Sequence, residues 1–174
     1  MGFRQEHWLM IILALVFMAF SLYYPWVNYD RLPERIPTHF DLTGEPDAWS
    51  EKSLGQLLLG PLITNVTWLM MVLVVWWMLK VEDPRRVING PKEKIKKMSR
   101  ERAEEVRRIA VFHMLLIMLL VSMLIMNVSI GQVQVALGYR ENIGPGILLL
   151  VALLLAEAFY VSWKCIGLVC RSGE

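Results

Sequence analysis

Four long apolar runs constrain the fold of this chain more than any other feature of its sequence. They are Trp8–Val27, Leu57–Leu79, Ile109–Ile130 and Ile147–Leu168. A helix of about 20 apolar residues, at about 1.5 Å per residue, crosses the roughly 30 Å hydrocarbon core of a bilayer. The 174 residues are 56% hydrophobic, above the roughly 45–50% of soluble domains. We therefore predict an all-α integral membrane protein with four transmembrane helices, forming a single membrane domain over residues 1–174.

Positive charge is divided unevenly among the segments that flank these runs. Fourteen Lys and Arg residues fall at the two termini and in the loop 80–108, against four in the connections 28–56 and 131–146. Short loops rich in Lys and Arg remain in the cytoplasm. The charge pattern predicts that both termini and the basic loop 80–108 are cytoplasmic. It predicts that the loop 28–56, between the first two helices, is extracytoplasmic.

The basic loop ends in a stretch with helical periodicity, residues 92–108, which predicts a surface helix running into the third span. Such a helix could bind anionic lipid or an acidic partner. Its acidic residues are interleaved with the basic ones, and this favours an ordinary solvated helix. We predict no nucleic-acid partner.

The extracytoplasmic loop differs in composition from a flexible linker, which would be rich in Gly and Ser. Prolines alternate with apolar residues, and Thr43–Pro46 predicts a tight turn. Ser53, followed by Gln56, has the pattern of a helix N-cap. We expect an ordered cap over the helix ends, with Ile36, Phe40 and Trp49 packed against the bundle. We also expect Asp47 and Lys52 to pair beside the indole of Trp49.

Eleven loop residues form a pattern that can be written LPxxIPxHF, GxPDxW and K. They are Leu32, Pro33, Ile36, Pro37, His39, Phe40, Gly44, Pro46, Asp47, Trp49 and Lys52. The pattern resembles the signature of a bacterial and archaeal membrane-protein domain of unknown function. That domain occurs in the SdpI-type immunity and signalling protein of the bacillus Sdp killing-factor system. The resemblance implies a multi-span helical protein in the plasma membrane of a prokaryote, and it implies no enzyme activity.

Four interpretations of the loop are open from the sequence. The loop could be a structural cap, a recognition surface for a peptide, lipid headgroup or membrane protein, a metal site, or a hydrolase using His39 with a carboxylate. The candidate metal ligands His39, Asp41, Glu45 and Asp47 include one His and match no calcium loop. No activated nucleophile accompanies His39. We predict a loop that is structural or binds a partner, without enzyme activity, metal or cofactor.

A second candidate site is Glu157, near the middle of the fourth apolar run. An ionised carboxylate costs several kcal/mol at the bilayer centre, so an intramembrane acid marks a candidate functional site. Asn65 on the second helix is expected at similar depth, together with Thr67, Trp68 and Ser122. His113 is expected nearer the cytoplasm, within reach only through water. Glu157 could serve a proton or cation pathway, or could join helices as a protonated acid.

These observations predict a membrane protein that acts by binding through its extracytoplasmic loop, as a sensor, an immunity protein or an accessory subunit. The alternative is a proton- or cation-coupled, transporter-like protein that uses Glu157. A membrane-surface enzyme is the third interpretation. The predicted partners are the lipid bilayer and a peptide or membrane protein at the loop.

Overall fold

The computed structural model of the protein describes residues 2–170, which are mostly helical. Two strands, β1 (Arg35–Phe40) and β2 (Pro46–Glu51), form an antiparallel hairpin between the first two helices. Short 3-10 turns cover Tyr29–Arg31 and Pro84–Val87. The helices are α1 (Gln5–Asn28), α2 (Leu54–Lys80), α3 (Lys92–Lys97), α4 (Arg100–Ala136) and α5 (Gly146–Cys170).

Four of the helices, α1, α2, α4 and α5, are long and apolar enough to cross a membrane. Each contains one of the predicted apolar runs, and together they indicate a multi-pass membrane protein. The hairpin was not predicted, so the fold is mostly helical rather than all-α. Proline has no N–H and is tolerated in a strand at positions that donate no hydrogen bond to a neighbouring strand. Each strand of a two-stranded hairpin has one edge without a neighbour, and this explains how Pro37 and Pro46 fit within the strands.

The long helix α4 is the centre of the bundle and packs against α1, α2 and α5. Its contact with α1 is the most extensive between helices, and the buried residues of α1 recur every three or four positions along one stripe. The fully buried side chains include the small residues Ala14, Ser21 and Ser122. Small side chains let membrane helices approach closely, and dispersion contacts then hold them together.

The last helix, α5, lies at the periphery of the bundle. Only Leu150 and Val169 are buried along its described length, while large apolar side chains such as Leu155 and Phe159 are exposed. A helix that is apolar on every side is suited to lipid rather than water. The exposed apolar surface of α5 therefore agrees with a membrane-spanning helix that contacts the rest of the protein mainly through α4.

The two ends of the bundle differ. The hairpin and the connection between α4 and α5 form one end, which we call the hairpin end. The segment 81–99 forms the other, which we call the basic end. There the predicted continuous helix 92–108 is interrupted: α3 stops at Lys97, and Ser99 caps α4 by accepting a hydrogen bond from the Arg102 N–H at 3.2 Å. Beside the break, Met98 is buried in a cluster with Val106 and Val169.

Arg107 is the principal buried charge at the basic end, with 5% of its side chain exposed. Its Nη1 donates to the carbonyl of Met78 at 3.1 Å and to that of Val81 at 2.6 Å. Its guanidinium also pairs with the Glu104 carboxylate. A cation at the carboxyl end of a helix satisfies unpaired carbonyls and complements the helix dipole. Arg107 on α4 therefore caps α2 and joins the two helices.

We expect Arg107→Met to lower the free energy of unfolding by about 3 kcal/mol, because it leaves two helix-terminal carbonyls without their donor and Glu104 without its cation. Denaturant titration in mixed micelles would measure the change. The neighbouring Arg108 is exposed, so Arg108→Met should change the same quantity by no more than about 0.5 kcal/mol. Equal losses in the two variants would contradict the capping role.

Candidate functional site

The hairpin turns at Asp41–Glu45, where one carboxylate organises the backbone. Asp41 Oδ1 accepts from the Thr43 N–H at 2.8 Å, the Thr43 hydroxyl at 2.6 Å and the Glu45 N–H at 3.1 Å. Gly44 has a positive φ of 86°, a conformation that glycine adopts without steric cost. A tight turn is therefore present, but it starts at Asp41, two residues before the predicted Thr43–Pro46, and Pro46 already belongs to β2. Asp41, a weak metal candidate in the sequence, is a turn-forming residue.

The hydrogen bonds of the turn change the titration of Asp41. The Thr43 hydroxyl, together with backbone N–H groups of the turn, lowers the pKa of the Asp41 carboxyl from its ordinary value of 3.8. These donors favour the charged form of the acid. The ionised carboxylate is thus the form that holds the turn.

The hairpin is attached to the bundle by one apolar anchor and two hydrogen bonds. Ile36 is fully buried in a cluster with Leu32, Leu57 and Val133. The side-chain amide of Gln132 on α4 donates to the Pro37 carbonyl at 2.7 Å. At the turn, the Ile143 N–H donates to the Gly44 carbonyl at 2.9 Å. The hairpin thus contacts both α4 and the connection that follows it.

The predicted Asp47–Lys52 pair does not form. Asp47 Oδ1 instead contacts His39 Nδ1 at 2.5 Å. Lys52 Nζ donates to the Leu32 carbonyl at 3.0 Å and lies 5.3 Å from the centre of the Tyr29 ring. The prediction treated the segment as a compact loop. In a strand, which rises about 3.3 Å per residue, five residues separate the two side chains by roughly 16 Å.

Two of the three apolar residues predicted to face the bundle do so at least in part. Ile36 is buried and Phe40 is half-buried, whereas 41% of Trp49 is exposed. Trp49 is paired with Pro37 across the hairpin and Ile36 with Ser50. Neighbouring positions along a strand project to opposite faces, so Trp49 lies on the face of the hairpin opposite Ile36, beside its buried partner Pro37.

The remaining motif residues lie at the ends of the hairpin strands. Pro33 is exposed ahead of β1, and Pro46 starts β2 opposite Phe40. Ser53 caps α2, as predicted, by accepting from the Gln56 N–H at 3.1 Å. The motif therefore divides into residues that shape or anchor the hairpin and an exposed group. That group, His39, Asp47 and Trp49, is called the hairpin patch below.

A second polar site lies inside the bundle, where the His113 Nδ1 contacts the Glu157 carboxylate directly. Only 13% of the His113 side chain and 16% of the Glu157 side chain are exposed. The Tyr160 ring centre lies 5.3 Å from that of His113, and Lys164 Nζ donates to the Tyr160 hydroxyl at 2.9 Å. These side chains form a polar row along α5 that leads from the pair toward the basic end.

His113 lies closer to Glu157 than predicted, and the offset between α4 and α5 along the bundle explains the difference. α4 starts at Arg100, and Val169 of α5 belongs to the same buried cluster as Ala103 of α4. Glu157 lies 12 residues from Val169 along α5, and His113 lies ten residues from Ala103 along α4. The two side chains are therefore at nearly the same depth.

The other predicted neighbours of Glu157 have different roles. The Asn65 side-chain amide donates to the Pro61 carbonyl of its own helix at 2.7 Å, and Thr67 donates to the Ile63 carbonyl at 2.9 Å. Ser122 donates to the Met118 carbonyl at 2.8 Å. Trp68 is buried, and its Nε1 has no hydrogen-bond partner among residues 2–170. In helices, such polar side chains often return to the backbone of the preceding turn.

Sequence reasoning did not single out Arg107, Gln132 or Tyr160. A signal was present for Gln132, since it is a polar residue near the end of an apolar helix beside the loop. Arg107 follows Glu104 by three residues, a spacing that brings side chains together on a helix. Neither pattern identifies the carbonyls that these side chains reach.

Comparison with known proteins supports part of the resemblance. Residues 9–64 match a family described as a domain of unknown function, DUF1648. An uncharacterized protein of Archaeoglobus fulgidus is 37% identical over 54 residues, which are 31% of this chain and 28% of the relative. The chain thus covers less than a third of that relative. No solved structure matches.

The matched region contains most of α1, the whole hairpin and the start of α2. It includes the hairpin patch but neither His113 nor Glu157. The comparisons therefore support similarity to a domain of unknown function, while the specific likeness to the SdpI-type immunity protein stays a prediction.

The lowered pKa of Asp41 predicts a pH-dependent turn. The contribution of Asp41 to stability should be complete above its ordinary pKa of 3.8 and should be lost as the pH falls through the lower folded value. Asp41→Asn should therefore lower the thermal midpoint at pH 6, and its difference from the unaltered protein should shrink on acidification. Glu45→Gln, in the same turn, is the control. A difference independent of pH between 6 and 2.5 would contradict this role.

Proposed function

We propose that this protein is a membrane-anchored binding protein that recognises a peptide or a membrane-protein partner through the hairpin patch. The observation that carries the proposal is the exposure of the patch on a hairpin that is otherwise anchored. The side chains of His39 and Asp47 are 67% and 48% exposed, and Trp49 is also exposed. Aromatic residues on a supported surface are frequent energetic centres of protein interfaces.

The charge distribution supports an extracytoplasmic position for the patch. The basic loop and both ends of the chain carry fourteen of the eighteen Lys and Arg residues, which favours the cytoplasm for that side. On this assignment the hairpin end lies outside the plasma membrane of a prokaryote. A sensor, an immunity protein and an accessory subunit would each use such a surface without catalysis.

A photocrosslinking residue at position 49, in cells that express the full chain, tests the proposal. We expect a discrete adduct with one partner, since Trp49 would lie within the interface. His39→Ala and Asp47→Ala, made in the crosslinking chain, should each abolish it, because removing either side chain alters the rest of the patch. The same crosslinker at the exposed Glu34, outside the patch, is the control.

An adduct from position 49 that persists in both alanine variants would contradict recognition through the patch. The same conclusion would follow if positions 34 and 49 captured the same set of proteins equally. Thermal unfolding of each variant would show whether a lost adduct reflects a lost fold.

The direct contact between His113 and Glu157 favours a second candidate function, proton or cation coupling. A carboxyl and an imidazole in contact can exchange a proton, and intramembrane pairs of this kind mark proton relays in pumps and transporters. Tyr160 and Lys164 extend the polar row toward the basic end. This candidate concerns residues outside the region 9–64 that matches the domain of unknown function.

For this candidate we expect purified protein in liposomes to dissipate an imposed pH gradient, measured with an entrapped pH-sensitive dye. Glu157→Gln should abolish the flux while keeping the fold, since the amide fills the same space but cannot carry the proton. Glu93→Gln, at an exposed position of α3, should retain the flux. If neither the unaltered protein nor the Glu93 variant moves protons, or if Glu157→Gln prevents folding, the pair is structural.

A further inference from the structure

A cleft of about 650 Å³ opens beside the hairpin, between the start of α2 and the last third of α4. Its rim consists of hydroxyl and amide side chains, among them Thr38 and Gln56, and its wall is apolar, with Leu57 and Ile125. None of the three residues of the hairpin patch lines it. The cleft is therefore a separate site from the hairpin patch.

The position of the cleft matches the boundary between headgroups and acyl chains. Its polar rim is at the hairpin end, beside the strand residues, and its apolar wall follows α2 toward the interior of the bundle. The exposed side chain of Leu59, which lines the cleft, brings it to the lipid-facing surface of α2. An amphiphile could enter from the membrane with its chain along the wall and its head at the rim.

The volume of the cleft matches a single acyl chain. About 650 Å³ accommodates on the order of twenty groups of about 30 Å³, the share of one water molecule in the liquid. A single acyl chain with a small head fills this volume, whereas a lipid with two long chains would place one of them outside the cleft.

The chemistry of the rim selects a neutral head. Among residues 2–170, no Lys, Arg, Asp or Glu lines the cleft, so a phosphate would find no cation there. Gln56 and Gln132 line it instead. Hydroxyl groups of a neutral head can exchange hydrogen bonds with such side-chain amides.

Glycine keeps the α2 side of the cleft open. A Cβ added at Gly60 would meet no atom within 4 Å, and one at Gly55 would meet only the Ser53 hydroxyl, at 3.8 Å. Glycine in a helix interior is otherwise unfavourable. Since Gly60 also lines the cleft, a larger side chain there can be added without displacing the bundle, and the site can be tested by substitution.

We propose that this cleft binds a single-chain, hydroxyl-headed neutral lipid, of the monoacylglycerol class, that enters from the bilayer. The acyl chain lies against the apolar wall formed by α2 and α4. The hydroxyl groups of the head reach the rim beside β1. The bound lipid thereby joins the hairpin to the start of α2.

A clickable monoacylglycerol with a diazirine in its chain, added to the full chain in nanodiscs, tests the assignment. Adducts should concentrate on the peptides around residues 55–61 and 125–132. Gly60→Leu should reduce the yield of these adducts by about tenfold, as expected when a site is filled. Gly146→Leu is the matched control, because a Cβ there also meets no atom within 4 Å and Gly146 is outside the cleft.

Competition identifies the head. Excess unlabelled monoacylglycerol should remove the adducts, whereas a lysophospholipid with an anionic phosphate should remove far fewer. Equal competition by the two lipids would overturn the neutral-head assignment.

Adducts spread evenly over the four long helices, and unchanged by Gly60→Leu, would mean general lipid contact and would overturn the site. If the leucine variant fails to fold, Gly60→Ala should still reduce the yield partially, and an unchanged yield would equally overturn the site.

Discussion

The packing of α4 against the three other long helices is the contact on which the rest of the structure depends. Between membrane helices the bilayer offers no hydrophobic driving force, so close packing and a few polar contacts must hold them. α1 meets this requirement with one continuous buried stripe that includes Ala14 and Ser21. α2 and α5 meet it differently, since each of them is joined to α4 by a polar side chain of α4. These are Arg107 for α2 and His113 for α5.

The same helix also determines the geometry of both ends. Near its start, Arg107 satisfies carbonyls at the end of α2. Near its finish, Gln132 satisfies the Pro37 carbonyl, and Val133 packs against Ile36. The hairpin can expose polar and aromatic side chains because its attachment to α4 does not use them. The candidate recognition surface and the anchor are therefore different residues of one short motif.

The polar residues of the long helices divide into two groups with different consequences. Asn65, Thr67 and Ser122 return their hydrogen bonds to their own helices, which removes the cost of an unpaired polar group in an apolar setting. His113 and Glu157 instead meet between helices and leave the pair partly accessible. An inter-helix contact of this kind can respond to a proton or an ion, whereas the intrahelical bonds only preserve the helix.

The sequence by itself determined the four long helices, the cap at Ser53 and the turn at Gly44. Each follows from local chemistry, namely run length, capping pattern or backbone preference. Only the tertiary structure decided that Asp47 meets His39 rather than Lys52, because that contact depends on strand pairing. It also decided that Glu157 meets His113, because that contact depends on the offset between α4 and α5, which brings Val169 into the same buried cluster as Ala103. Register and offset arise from contacts between distant segments, and no local pattern encodes them.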